Sequence, residues 1–197
     1  MIKYPDGSTY NPKKNKIKKN KIDISISSSN RGMDFEDEIN ASNEYYKLNS
    51  IALITKRPTP INVVKVDYSK GSPKIVDAYF EKQSTTDYNG VYKGKYIDFE
   101  AKSTKNKTSF PLANIPLHQI NHLKNVLKND GIAFFLIKFV SLQEIYFVDA
   151  KYVISFYETS TRKSIPYKEI VKFGYRIVEN FNPRIDFISI IDKHFIK

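Results

Sequence analysis

The amino-acid sequence predicts an α/β domain whose elements run α-β-β-β-α-β, building a mixed sheet flanked by helices, with a β-hairpin inserted after the first strand. Three observations predict it. Phe35, Ile39 and Tyr46 recur at helical spacing behind a cluster of acids. The segment "YIDFEAK" (96–102) alternates apolar and charged residues with the period of two of a strand. The segment "IAFFLIKF" (132–139) is apolar on both faces, which suits a strand in the middle of a sheet.

The elements follow in order. The first helix begins near Asn30, and Asp34, Glu36, Asp37 and Glu38 crowd its first turns, where acids suit the helix dipole. "SIALITK" (50–56) is a buried strand that stops before Pro58 and Pro60. "INVVKVDY" and "KIVDAYFE" flank the turn "SKGSP", making 58–83 an inserted stalk whose eight-residue strands would reach roughly 26 Å when paired; the alternative is a hairpin folded back onto the main sheet. Residues 85–92 and 95–103 pair across "YKGK". Pro116 opens a helix with Leu117, Ile120, Leu123 and Leu127 on one face, and Gly131 closes it. After the apolar strand 132–139, "EIYFVDAKYVISFYE" and "PRIDFISIIDKHF" hold one further strand and short helices.

With 197 residues, 41% of them hydrophobic, the chain builds one core: a single folded domain over 30–197 preceded by a basic arm over 1–29. The arm holds seven Lys against one Asp in residues 1–22 and lacks periodicity, so it is expected to be disordered, whether to touch DNA or merely as a solvated tail. Lys and Arg outnumber Asp and Glu by 32 to 21, a net charge of +11, which points to polyanionic partners. Without an apolar run of bilayer length or a signal-peptide core, the expected location is the cytoplasm, with no membrane partner. The absence of Cys excludes disulfides, thiolate nucleophiles and Cys-based zinc sites, so a metal must be held mainly by oxygen.

Asp87, Asp98 and Glu100 lie among five lysines between Lys93 and Lys107. On the strand, Ile97, Phe99 and Ala101 face one side while Asp98, Glu100 and Lys102 face the other, which is either chemistry or solvent. An amphipathic edge strand would show the same alternation. Pairing across "YKGK" brings Asp87 near Glu100, and two such acids stay ionised together if a hard cation such as Mg²⁺ joins them. The ion sharpens a water nucleophile and offsets the charge that grows on a phosphodiester, while the lysines gather phosphate. His118 and His122 stand at zinc-binding spacing, but with no third soft ligand they are read as surface residues.

Asp87 followed by Glu100-x-Lys102, in an α-β-β-β-α-β order, resembles the restriction-endonuclease-like nuclease fold. More narrowly, "SNRGMDFE", "KRPTPI", "STTDYNGVYKGKYIDFEAK", "NKTSFPL" and "HQI" are similar to the RecU-type Holliday junction resolvases. The resemblance implies metal contacts from Thr85, Asp87, Glu100 and Gln119, catalysis by Asp87, Glu100 and Lys102, and secondary roles for Glu36 and Arg31. Read from the residues alone, Gln119 is an ordinary polar flank of its helix, Thr85 a plain strand former, and Glu36 a helix N-terminal acid. Asp98 lies on the same strand face but outside the implied ligand set, as a neighbour. Lys56, Arg57, Lys65, Lys70, Lys74, Lys105 and Lys107 are the expected DNA contacts.

What the resemblance implies is a Mg²⁺-dependent endonuclease, with Mn²⁺ as a substitute, that nicks four-way and other branched DNA symmetrically in recombination and repair. It also implies a homodimer, and partnership with RecA and a branch-migration helicase. A sequence-specific restriction-type enzyme on duplex DNA would use the same metal chemistry, and a non-catalytic DNA-binding regulator of RecA would share the charge. Clustered acids facing phosphate argue for the enzyme over the regulator.

Overall fold

The computed structural model describes residues 34–69, 71–81 and 85–196; the basic arm over 1–29, together with Arg31 and Lys70, lies outside them. Helix α1 (Phe35–Leu48) starts where Asp34 caps it, its carboxylate accepting from the Phe35 N–H, and three acids occupy its first turn. Phe35, Ile39 and Tyr46 form its buried stripe. Strand β1 (Leu53–Lys56) follows and ends before the prolines.

Strands β1, β4 (Tyr88–Tyr92), β5 (Lys95–Thr104), β7 (Ile132–Phe139), β8 (Glu144–Asp149) and β10 (Tyr175–Ile177) make a six-stranded sheet in the order β1-β4-β5-β7-β8-β10. It is mixed: β5 and β7 run parallel and the other neighbours antiparallel. The parallel pair needs a crossover, and α2 (Leu117–Lys128) supplies it. The expected α-β-β-β-α-β core and its flanking helices are therefore present, with the hairpin as an insertion.

Both faces of the sheet are covered. On one, Tyr88, Phe99, Phe134 and Phe147 stack ring to ring at 4.8, 4.6 and 4.1 Å across four strands, beneath α1 and α5 (Ile188–His194). Each such ring removed from water is worth roughly 1.5–3 kcal/mol. On the other, Phe135, Ile137 and Val148 pack with α2, α3 (Ala150–Thr159) and α4 (Tyr167–Phe173). Gly90 is required where β4 meets β1, because a Cβ there would lie 2.2 Å from the Leu53 carbonyl oxygen.

Two expectations change. The strand carrying the acids is third of six, so the edge-strand alternative is excluded, and its charged face is buried instead of solvated. The chain after β7 holds more strands than the single one expected: besides β8 there are β9 (Ser164–Pro166), paired with β6 (Ser109–Pro111), and β10. Three-residue strands are too short to show a period.

Strands β2 (Ile61–Asp67) and β3 (Lys74–Phe80) pair only with each other, with a bulge near Lys65. Every residue of β3 is exposed, and no residue of either strand is buried, so the hairpin is not folded back onto the main sheet. Among the described residues no helix is long and apolar enough to cross a membrane.

Candidate active site

The turn between β4 and β5 decides the register. Lys93 and Gly94 both take positive φ, 46° and 75°, as a tight two-residue hairpin turn requires. Tyr88 is thereby set opposite Phe99, and one step further Asp87 falls opposite Glu100. The Asp87 N–H donates to Glu100 Oε2 at 3.0 Å, and the Ala101 N–H lies 3.4 Å from Asp87 Oδ2.

Glu100 is fully buried and its other oxygen, Oε1, accepts from Lys102 Nζ at 2.6 Å and from Gln119 Nε2 at 2.7 Å. Gln119 reaches it from the first turn of α2, on the helix face turned to the sheet. Burial, and then the Asp87 carboxylate, push the Glu100 carboxyl up to about 8, against the opposing pull of Lys102. The amide oxygen of Gln119 is buried without a hydrogen-bond partner. An orphaned acceptor beside two mutually repelling carboxylates is the environment that a bound cation relieves. The donor set of two carboxylates and a neutral amide oxygen suits a hard ion such as Mg²⁺, and among the described residues no group of three His, Cys, Asp or Glu forms an alternative metal cluster.

The other expected residues distribute as follows. Thr85 lies half-buried two residues before Asp87, in the segment leading into β4. Glu36, half-buried in the first turn of α1, forms an ion pair with Lys56 at the end of β1. That hydrogen bond chiefly raises the Lys56 pKa, with the charges of Asp87 and Asp37 adding to it. Lys65 and Lys74 stand exposed on the hairpin, and Lys105 and Lys107 in the loop after β5.

Arg57, expected as a DNA contact, turns inward in this structure and donates to Asp98 Oδ2 at 2.5 Å and to the Tyr96 hydroxyl at 2.8 Å. Asp98, with no exposed surface, also accepts from Tyr96 at 2.8 Å, from Thr86 through Oδ1, and meets His122 Nε2 at 2.9 Å. His122 is thus a partner of a buried carboxylate and not a surface histidine. Thr86, Tyr96 and His122 were not singled out as site neighbours by sequence reasoning. The available signal was the shared strand face of Asp98 and Glu100 and the three-residue spacing of Gln119 and His122 on one helix.

The family described as Recombination protein U, RecU, matches residues 30–193. The chain belongs to the RecU family. It is 53% identical to a Holliday junction resolvase RecU of Bacillus cytotoxicus, over 97% of this chain and 96% of that protein. It is 49% identical to the one of Geobacillus sp. (strain WCH70), over 98% of this chain and 97% of that protein. Among solved structures it is similar to Hjc of Archaeoglobus fulgidus, a Holliday junction resolvase, with 12% identity and a TM-score of 0.41, covering 73% of this chain and 93% of that one. The RecU match takes in every site residue placed above, while the arm over 1–29 falls before it.

Proposed function

We propose that the chain is a divalent-metal-dependent endonuclease that resolves four-way DNA junctions, nicking two strands symmetrically as a homodimer. The observation that carries this reading is the convergence of Asp87, Glu100, Lys102 and Gln119 at the β4–β5 register point, where the other three each donate a hydrogen bond to Glu100. Kinship with proteins named Holliday junction resolvase RecU supplies the substrate class.

Each residue has a distinct task. Asp87 and Glu100 would hold Mg²⁺, with Gln119 contributing its free amide oxygen and Thr85 close by in the chain. When bound, the ion supplies Lewis acidity toward the phosphodiester and lowers the pKa of water. The Lys102 ammonium, fixed against Glu100 by its 2.6 Å contact, offers a positive charge to the transferring phosphate. Gln119, donating to Glu100 Oε1, fixes the orientation of that carboxylate while its Oε2 meets the Asp87 N–H. Two related cuts call for two related sites, which a twofold dimer supplies. The exposed apolar surface of the hairpin, Val64, Val76, Tyr79 and Phe80 among it, supports burial on assembly or on DNA.

The test is incubation of the purified chain with a synthetic four-way junction and with linear duplex of the same sequence, with and without Mg²⁺. Paired nicks in the junction alone, only with the ion, are expected. Equal cutting of the duplex would favour a restriction-type enzyme, and cutting of neither would leave a binding protein.

A further inference from the structure

We propose that Asp98, with Arg57 and His122, is a positioning device that holds the metal-binding residues in mutual register. Asp98 is wholly buried, yet it collects donors from four parts of the chain: Arg57 after β1, Thr86 before β4, Tyr96 on β5 and His122 on α2. A carboxylate only accepts, so the His122 Nε2 carries the proton in this contact.

Three of these partners, Arg57, Thr86 and His122, lie beside a residue of the site. Thr86 precedes Asp87, and the Arg57 N–H donates to the Asp87 carbonyl at 2.7 Å, so the segment carrying Asp87 is held from two sides. Asp98 stands two residues before Glu100 on the same strand face. His122 follows Gln119 by about one helical turn, and Gln119 holds Glu100. One carboxylate thus ties together the three segments that bring Asp87, Glu100 and Gln119 into reach of a single ion.

Packing alone would not ask for this. A buried ion pair is seldom more stabilising than apolar residues of the same volume, whereas its hydrogen bonds have fixed directions. Direction is what a site built on two repelling carboxylates lacks. Removing groups that orient metal ligands without touching the metal commonly lowers metal affinity by about 10–100-fold.

This inference rests on the metal-dependent nuclease reading, and the experiment separates the two. Mn²⁺ is titrated into the full chain and the free ion followed by electron paramagnetic resonance, for the native protein, His122→Leu, His122→Gln and Val126→Ala. His122→Leu removes the donor to Asp98, and its Mn²⁺ affinity is expected to fall at least about tenfold. His122→Gln, whose amide nitrogen can still donate, is expected to stay within about threefold of native. Val126 is a buried residue of the same helix with no polar contact to Asp98, so Val126→Ala is expected to melt at a lower temperature while binding Mn²⁺ as the native chain does. Native affinity in His122→Leu, or equal losses in all three variants, would overturn the positioning role. If His122→Leu is unfolded by circular dichroism, Tyr96→Phe carries the test: it removes one hydroxyl shared by Asp98 and Arg57 and is expected to weaken Mn²⁺ binding about threefold, an unchanged affinity counting against the device. A native chain that neither binds Mn²⁺ nor cuts junctions would overturn the nuclease reading beneath it.

Discussion

Strand β5 and the β2–β3 hairpin invert the usual distribution of side chains in opposite senses. On β5, Asp98 and Glu100 are wholly buried in the middle of the sheet. On the hairpin, Val64 is 59% exposed, Tyr79 59% and Phe80 78%. Local rules are broken where function requires it. Burial makes the carboxylates of β5 costly, and each is therefore surrounded by specific donors: Arg57, His122, Tyr96 and Thr86 for Asp98; Lys102, Gln119 and the Asp87 N–H for Glu100. Among the described residues the two strands of the hairpin pair only with each other and leave these side chains exposed.

The strongest way to break this comparison is to remove charge from the site at β5 while keeping shape. Asp87→Asn and Glu100→Gln are each expected to lower junction cleavage at least about a thousandfold, with junction affinity unchanged or slightly higher, because an acid that repels phosphate has gone. Gel-shift and cleavage assays on the same preparations check it, and near-native cleavage by either folded variant would show that the buried acids serve packing. Lys102→Ala comes next. If its charge assists the reacting phosphate as proposed, the single-turnover rate is expected to fall about a hundredfold while the dissociation constant changes by less than about threefold. Parallel losses in rate and affinity would make Lys102 an ordinary phosphate contact.

The hairpin offers the complementary break. Replacing 61–80 with a short Gly/Ser link removes no buried residue among those described, and the ends to be joined are already adjacent, the Glu81 N–H donating to the Pro60 carbonyl at 2.9 Å. The variant is expected to melt within about 3 °C of the native chain, since nothing in the core is lost. Its preference for junction over duplex is expected to fall about tenfold or more in competition assays, with metal-dependent nicking retained. An intact preference would mean that the core alone reads the junction; an unfolded product would mean that the hairpin supports the sheet.

How far the sequence foretold the molecule follows the same division. Period and turn chemistry were enough for β5 and β7, because alternation in "YIDFEAK" and the apolar run of 132–139 are long signals and the Lys93–Gly94 turn permits one register. Asp87 beside Glu100 is a consequence of that register and was legible for that reason. The partners of Asp98 were not. Arg57 and His122 arrive from elements 41 and 24 residues away, brought in by the sheet order and the crossover helix, which local patterns do not encode. Arg57 consequently read as a DNA contact, one more cation in a basic chain, when its neighbour in space is a buried anion. The short elements β6, β9, α4 and β10 escaped because three to seven residues carry too little periodicity.

The finest test sets exposed lysines of the two regions against each other. Lys105 and Lys107 continue from β5 into an exposed loop, and Lys65 and Lys74 stand on the hairpin. None is paired in an ion bridge among the described residues. A lysine that contacts phosphate releases about one counterion on binding, so each double variant to Ala is expected to reduce the slope of log affinity against log salt by about two. The cleavage rate at saturating protein is expected to stay near native in both, because neither pair lies at Glu100. The substrates should then separate them: loss of Lys105 and Lys107 weakens junction and duplex equally, since the loop adjoins the cutting site on any arm, whereas loss of Lys65 and Lys74 weakens the junction more. If the loop pair instead slows single-turnover cleavage, the positive charge that assists the phosphate extends beyond Lys102, and the boundary between the buried site and its DNA-facing surface lies further along the chain than the geometry places it.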